Sequence, residues 1–277
     1  MSKLMMKLGH SPDADDAFMF YAMAKGKVNS DEVDFEHVIE DIQSLNKRAM
    51  NRELEVTAMS VHAYTYVQDN YRILSCGASM GEGYGPIVVA KEKIDDLSGK
   101  TIAVPGKLTT AYLLLSIYAR DFIPVDMPFD KVMDAVVNGE TDAALVIHEG
   151  QLTFRDFGLV ALFDLGEIWE KDTSLPLPLG VNTIRRDIDY NLAREILRLH
   201  RQSIEYGLEN KDEALEYAMQ FGRGMELEIG EKFVLMYVNE LTRDMGDKGK
   251  NALETLFSKA REKNVINKDV KLDILDN

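Results

Sequence analysis

Strand-like and helix-like runs alternate along this chain up to about Tyr190. Leu4–Leu8 is a short apolar run, the turn Ser11-Pro12-Asp13-Ala14-Asp15-Asp16 follows, and Ala17–Ala24 reads as a buried helix stopped near Gly26. Asp15 or Asp16 can cap that helix by accepting from the N–H groups of its first turn. A strand over Asp34–Ile39, a helix over Asp41–Asn51, a strand over Val56–Met59 and a helix over Val61–Val67 come next. Tyr71–Ser75 and Pro86–Ala90 are strand-type runs separated by Gly77, Gly81, Gly83 and Gly85. Beyond residue 92 or so the spacing predicts a strand over Lys100–Val104, a helix over Thr109–Arg120, a strand at Asp126–Phe129 and a helix over Phe129–Asn138. Asp142–Ile147 is a buried strand, and Leu159–Leu165 and Gly180–Ile184 are further apolar runs. After Tyr190 the pattern is helical, over Leu192–Glu209, Lys211–Phe221, Gly230–Leu241 and Lys248–Asn264.

Such alternation implies an α/β fold with a largely parallel sheet covered by helices on both faces. The Gly-rich stretch 77–85 and the Pro-rich Leu175-Pro176-Leu177-Pro178-Leu179-Gly180 bracket a middle unit. The chain is expected to leave one lobe (1–90 plus 186–277), build a second (91–185) and return. That is the plan of two-lobed binding-protein folds, whose ligand lies in the cleft between lobes. The 277 residues are enough for two lobes.

Charge narrows the function classes. There are 32 Lys and Arg against 47 Asp and Glu, a formal net charge of −15, which argues against nucleic acid or an anionic membrane surface as partner. Cys76 is the only cysteine, so an internal disulfide is excluded. No run approaches the roughly 18 apolar residues of a membrane span. Met1–His10 lacks an apolar core of signal length, so a cytoplasmic protein is expected.

Chemistry concentrates in the loops that follow strands. His148 sits just past the carboxyl end of a buried strand, where open α/β sheets place their ligands, and an imidazole there can act as a general base near neutral pH. Glu149 beside it can orient the ring. Pro105-Gly106-Lys107-Leu108-Thr109-Thr110 lies between a strand and a helix, where first-turn N–H groups, two hydroxyls and a lysine form a cradle for a carboxylate or phosphate. The alternative is that Thr109 only caps the helix. The loop has neither dinucleotide-binding nor P-loop glycine spacing. The carboxylates of the first turn fit no EF-hand spacing, no cysteine pair exists for zinc, and no G-x-S-x-G elbow is present. Ser60 repeats the strand-to-helix position as a cap or ligand donor, while His10, His37 and His200 stand apart from any cluster in the sequence.

Val104-Pro105-Gly106-Lys107-Leu108-Thr109-Thr110-Ala111-Tyr112, Ile147-His148-Glu149 and Leu175–Gly180 together resemble the 1,4-dihydroxy-6-naphthoate synthase family of the futalosine route to menaquinone. Ser11-Pro12 through Asp16-Ala17-Phe18 and Glu40-Asp41-Ile42-Gln43-Ser44-Leu45-Asn46 fit the same family, in the same order, over nearly the whole chain. The resemblance implies a two-lobed periplasmic-binding-protein-like fold and no cofactor; from the residues no metal is expected, a hard cation at the first-turn carboxylates being the minority reading beside helix capping. The resemblance also implies conversion of cyclic dehypoxanthinylfutalosine to 1,4-dihydroxy-6-naphthoate by carbon–carbon cleavage. It assigns His148 as general base. Thr109, Thr110, Ala58, Met59 and Ser60 map as substrate contacts, as do Ser11 and Asp16 of the opening motif. Two positions depart from the family. The usual S-P-C-P-N-D-T-F reads S-P-D-A-D-D-A-F here, and the usual lysine before the Leu/Ile-Ser pair is Ala58. Both bear on substrate identity more than on the fold.

The expected partner is a small carboxylated substrate, with a homodimer left open. A chorismate dehydratase of the same superfamily and a non-catalytic binding protein for an organic carboxylate are the alternatives. The absence of a leader argues against periplasmic capture, and His148 with Glu149 argues for chemistry. Lys107 and the N–H groups ahead of Thr109 and Thr110 are the expected local exception to the acidic charge.

Overall fold

The computed structural model describes residues 3–222 and 226–276. Its strands, in chain order, are β1 (Leu4–His10), β2 (Val33–Ile39), β3 (Val56–Ser60), β4 (Tyr71–Leu74), β5 (Ser79–Gly81) and β6 (Ile87–Ala90). They continue with β7 (Thr101–Val104), β8 (Ile123–Asp126), β9 (Ala143–Val146), β10 (Val160–Asp164), β11 (Leu177–Arg185) and β12 (Ile274–Leu275). The first helices are α1 (Ala14–Ala24), α2 (Ile42–Met50), α3 (Val61–Val67), α4 (Thr110–Tyr118), α5 (Val132–Asn138) and α6 (Gly150–Thr153). The later ones are α7 (Leu165–Thr173), α8 (Tyr190–Glu209), α9 (Lys211–Ala218), α10 (Leu227–Tyr237), α11 (Glu240–Arg243) and α12 (Gly246–Glu262).

Two compact units result: Met1–Met80 with Gly180–Lys250 and Val270–Asn277, and Gly81–Leu179 with Asn251–Asp269. Residues 81–90 and the segment Asn251–Asp269, expected in the first lobe, group with the second unit, and residues 180–185, expected in the second lobe, group with the first. Within Asn251–Asp269 the Lys259 ammonium lies 2.8 Å from the Asp172 carboxylate, which also accepts from the Tyr118 hydroxyl at 2.8 Å. No helix among the described residues is long and apolar enough to cross a membrane.

The first unit carries a seven-stranded sheet in the order β12-β4-β11-β3-β1-β2, with β5 against β11. Here β1 is central to a parallel trio, with Gly9 opposite Thr57 of β3 and His10 opposite Ile39 of β2. The second unit has a five-stranded sheet in the order β10-β6-β9-β7-β8, in which β7 is parallel to β9 and to β8. The same construction therefore occurs twice: a strand, β1 or β7, flanked by two parallel neighbours, so that three strand-to-helix loops share one end of the sheet.

The elements follow from local chemistry. Beyond the Asp15 and Asp16 of its first turn, α1 is apolar all round, and it is almost wholly buried, as a helix without a polar face must be. It begins at Ala14, three residues earlier than its apolar run, and neither Asp15 nor Asp16 is its N-cap. That place is taken by Asp13, whose carboxylate accepts from Ser11 Oγ rather than from the helix. α2 is capped by Asp41, whose carboxylate accepts from the N–H groups of Gln43 and Ser44 at 3.0 and 3.1 Å. The strand expected at Asp126–Phe129 is β8, Ile123–Asp126, because pairing with β7 runs from Thr101–Ile123 to Val104–Asp126. The helix expected over Gly230–Leu241 is two helices, α10 and α11, divided where Asn239 caps the second. In the second unit Ile87, Val89, Ala103, Val136, Ala144 and Phe154 belong to one buried cluster. In the first, Leu45, Leu54 and Ala58 pack together between α2 and the sheet.

Candidate functional site

The second unit assembles its candidate residues on the loops after β7, β8 and β9. After β7 the chain turns at Gly106, whose φ of 122° is open to glycine and strained for other residues. The turn brings Thr109 to the N-cap of α4. Its hydroxyl donates to the Gly106 carbonyl at 2.7 Å and accepts from the Tyr112 N–H at 3.2 Å. The Thr110 hydroxyl donates to the Leu179 carbonyl at 2.5 Å. Both threonine hydroxyls therefore serve the protein, and Thr109 does cap the helix. What this loop can offer an anion is main chain, since first-turn N–H groups have no carbonyl within the helix to bond. Lys107 is exposed beside them.

His148 follows β9 and is half-buried, with a φ of +54°, in the left-handed region that a histidine occupies at a cost of order 1 kcal/mol. Its carbonyl accepts from the Gln151 N–H at 3.1 Å, which holds the turn into α6. Phe129, from the loop after β8, meets the imidazole edge-to-face with ring centroids 5.2 Å apart and planes at 77°. Since β8 and β9 flank β7, these two loops close over the carboxyl end of the central strand. Glu149 is the residue before α6.

The first unit builds a second polar cluster in the same way. Ser11 follows β1; its N–H donates to Asp16 Oδ2 at 2.7 Å and its hydroxyl to Asp13 Oδ2. Asp13, Asp15 and Asp16 are all buried, and burial, with a contribution from the Asp13 charge, pushes the Asp16 carboxyl up to about 7. Beside it, the histidines that stand apart in the sequence come together. His10 stacks on Phe20 at 4.9 Å, and Phe20 stacks on His200 at 4.7 Å. His10 Nδ1 faces the Ser11 carbonyl at 3.3 Å, which can only accept, so Nε2 accepts from His37 Nδ1 at 3.2 Å. Burial first, and the neighbouring His37 second, hold His10 down to about 4; burial and His10 hold His200 down to about 3.

On β3 the three candidates differ. The Ala58 methyl packs into the apolar cluster with Leu45 and Leu54, and Met59 is wholly buried. Ser60, at the start of α3, is bonded twice to Asn46: its N–H donates to Asn46 Oδ1 and its Oγ accepts from Asn46 Nδ2, each at 2.9 Å. Sequence pattern assigns Asn46 no role beyond its place in the Glu40–Asn46 segment, and assigns Phe129 none. The signal for Asn46 was present, since Ile42, Leu45, Asn46 and Ala49 share the inward face of α2 at helical spacing and Asn46 is the polar one. Phe129 gave none, because its meeting with His148 depends on strand order.

Among solved structures, an alkanesulfonate-binding protein of Xanthomonas axonopodis pv. citri, bound to MOPS, is 11% identical with a TM-score of 0.72, covering 99% of each chain. The periplasmic aliphatic sulphonate-binding protein of Escherichia coli has a TM-score of 0.67 at 10% identity, covering 100% of this chain and 95% of that one. Two sheets with their polar loops at the carboxyl ends of parallel strands, together with these likenesses, define the fold as that of the periplasmic-binding-protein class. Sequence likeness resolves the class further. The menaquinone biosynthesis family model matches residues 6–262. The 1,4-dihydroxy-6-naphthoate synthase of Thermus thermophilus is 41% identical over 255 residues, 92% of this chain and 93% of that protein. The synthase of the same name from Streptomyces coelicolor is 35% identical over 272 residues, 96% of each. A crystal structure of a protein from Archaeoglobus fulgidus is 52% identical, with a TM-score of 0.92 over 95% of this chain and 98% of that one. The chain belongs to the 1,4-dihydroxy-6-naphthoate synthase family of menaquinone biosynthesis, a family of enzymes.

Proposed function

We propose that this enzyme converts cyclic dehypoxanthinylfutalosine to 1,4-dihydroxy-6-naphthoate, with His148 as the general base. The observation that carries the reading is the imidazole itself. It stands at the carboxyl end of β9, held in a left-handed turn and braced by Phe129. The first turn of α4 lies on the neighbouring parallel strand β7, where its N–H groups and the helix dipole favour a substrate carboxylate, with Lys107 adding positive charge. A carboxylate fixed there leaves the reacting carbon to the base. His148 takes a proton from that carbon, and the electron pair left behind drives ring opening and aromatisation. Ser11, Asp16 and Ser60 belong to the same proposal as substrate contacts, while Ala58 and Met59, whose side chains are buried, serve it by setting Ser60 at the end of β3.

Purified protein incubated with the cyclic substrate, followed by ultraviolet absorbance of the naphthoate, tests the reaction. His148→Ala is expected to lower kcat by about 100-fold or more, with the substrate still bound. Near-normal turnover by that variant overturns the assignment of the base. Binding without turnover by the wild-type protein overturns the reaction.

A further inference from the structure

Ser60 occupies the N-cap position of α3, yet its side chain makes no capping bond to the helix. A serine hydroxyl has one proton to donate and two lone pairs to accept with. Asn46 Nδ2 donates to Ser60 Oγ at 2.9 Å, so the oxygen acts as acceptor in this pair. The reciprocal bond from the Ser60 N–H to Asn46 Oδ1, also 2.9 Å, fixes which way the amide faces, because the flipped amide would set two donors against each other. Both residues are buried, Asn46 completely. Asn46 is itself held on α2 between the buried Leu45 and Ala49, on a helix capped by Asp41. Among the described residues no protein acceptor takes the Ser60 hydroxyl proton, although buried hydroxyls are seldom left without one.

We propose that Asn46 is the positioning residue of Ser60. By filling an acceptor site of the hydroxyl it obliges Ser60 to present its proton to the substrate, and so to select an acceptor oxygen, such as a carboxylate or carbonyl, at the carboxyl end of β3. This deepens, and rests on, the reading of Ser60 as a substrate contact. The amide is required because a carboxylate of the same shape would accept from the Ser60 N–H and from the hydroxyl as well, turning the proton inward.

Asn46→Asp makes that reversal, and its protonated form restores the donor. With cyclic dehypoxanthinylfutalosine as substrate, the ionised variant is expected to raise KM by about tenfold or more, with KM returning towards the wild-type value as pH is lowered through the new carboxyl. Ser60→Ala should raise KM similarly without that pH-dependent recovery, and the double variant should be no worse than the worse single one. Wild-type KM for Asn46→Asp at every pH, alongside an impaired Ser60→Ala, overturns the proposal, as do effects that multiply in the double variant. Turnover by the wild-type protein judges the reaction separately. Neutron diffraction of the wild-type protein judges the hydroxyl even if the substrate is wrong. The Ser60 deuteron is expected to point away from Asn46 and from every protein acceptor, and a deuteron bonded to the protein overturns the proposal.

Discussion

Asp16 gives the fold a pH dependence that can be isolated by one substitution. Its carboxyl is buried beside Asp13 and raised to about 7, whereas in the unfolded chain it titrates near the ordinary carboxyl value of 3.8. A raised carboxyl contributes stability that is fully present below the unfolded value and is lost as pH rises through the folded one, because the unfolded chain releases the proton first. The full span corresponds to about 4 kcal/mol, of which about 2–3 kcal/mol falls between pH 5 and pH 8. Asp16→Asn keeps an acceptor for the Ser11 N–H, supplies a donor toward Asp13 and removes the titration. His10 and His200 act in the opposite sense: folded values of about 4 and about 3 mean stability is lost as pH falls below about 6.5. Those histidines are present in both proteins and cancel in the comparison. Urea unfolding of wild type and Asp16→Asn at pH 5, 6.5 and 8 should show the variant gaining on the wild type by about 2–3 kcal/mol across that range. A difference that stays flat with pH refutes the argument that burial holds the Asp16 proton.

Two further outcomes follow from packing. A methyl at Gly9 would lie 2.7 Å from Leu54 Cδ1, 2.8 Å from Thr57 Oγ1 and 2.9 Å from Leu45 Cδ2, all on buried residues, so Gly9→Ala should destabilise by about 1–3 kcal/mol in urea melts. Cys76 is fully buried and burial pushes its thiol up to about 12, so iodoacetamide at neutral pH should label it only in denaturant, as read by mass spectrometry. Rapid labelling of the native protein would contradict that burial.

Much of the candidate site was legible because each strand-to-helix loop carries its own chemistry. Thr109 at a helix start and His148 after a buried strand need only local pattern to be found, and both sit where that pattern put them. The role of the Thr109 and Thr110 hydroxyls was not legible. Whether a hydroxyl faces a ligand or a carbonyl depends on what the fold brings near, and here Gly106 and Leu179 take them. The start of α1 moved to Ala14 for a similar reason, since Asp13 and Asp16 are drawn to Ser11 rather than used as simple caps.

The sequence by itself determined the alternation of strands and helices and the loops where polar residues collect; the largely parallel sheet it implied is two mixed sheets, with β11 antiparallel to β3 and β4 and β6 antiparallel to β9 and β10. Apolar periodicity and turn residues act over a few positions and need no partner. Only the tertiary structure decided which distant residues meet: His10, Phe20 and His200 in one stack, Phe129 against His148, Asn46 against Ser60, and Asn251–Asp269 with the second unit. Those meetings follow from strand order and helix packing, which join segments far apart in the chain. Burial then shifts the proton affinities of Asp16, His10 and His200, a property none of these residues has alone.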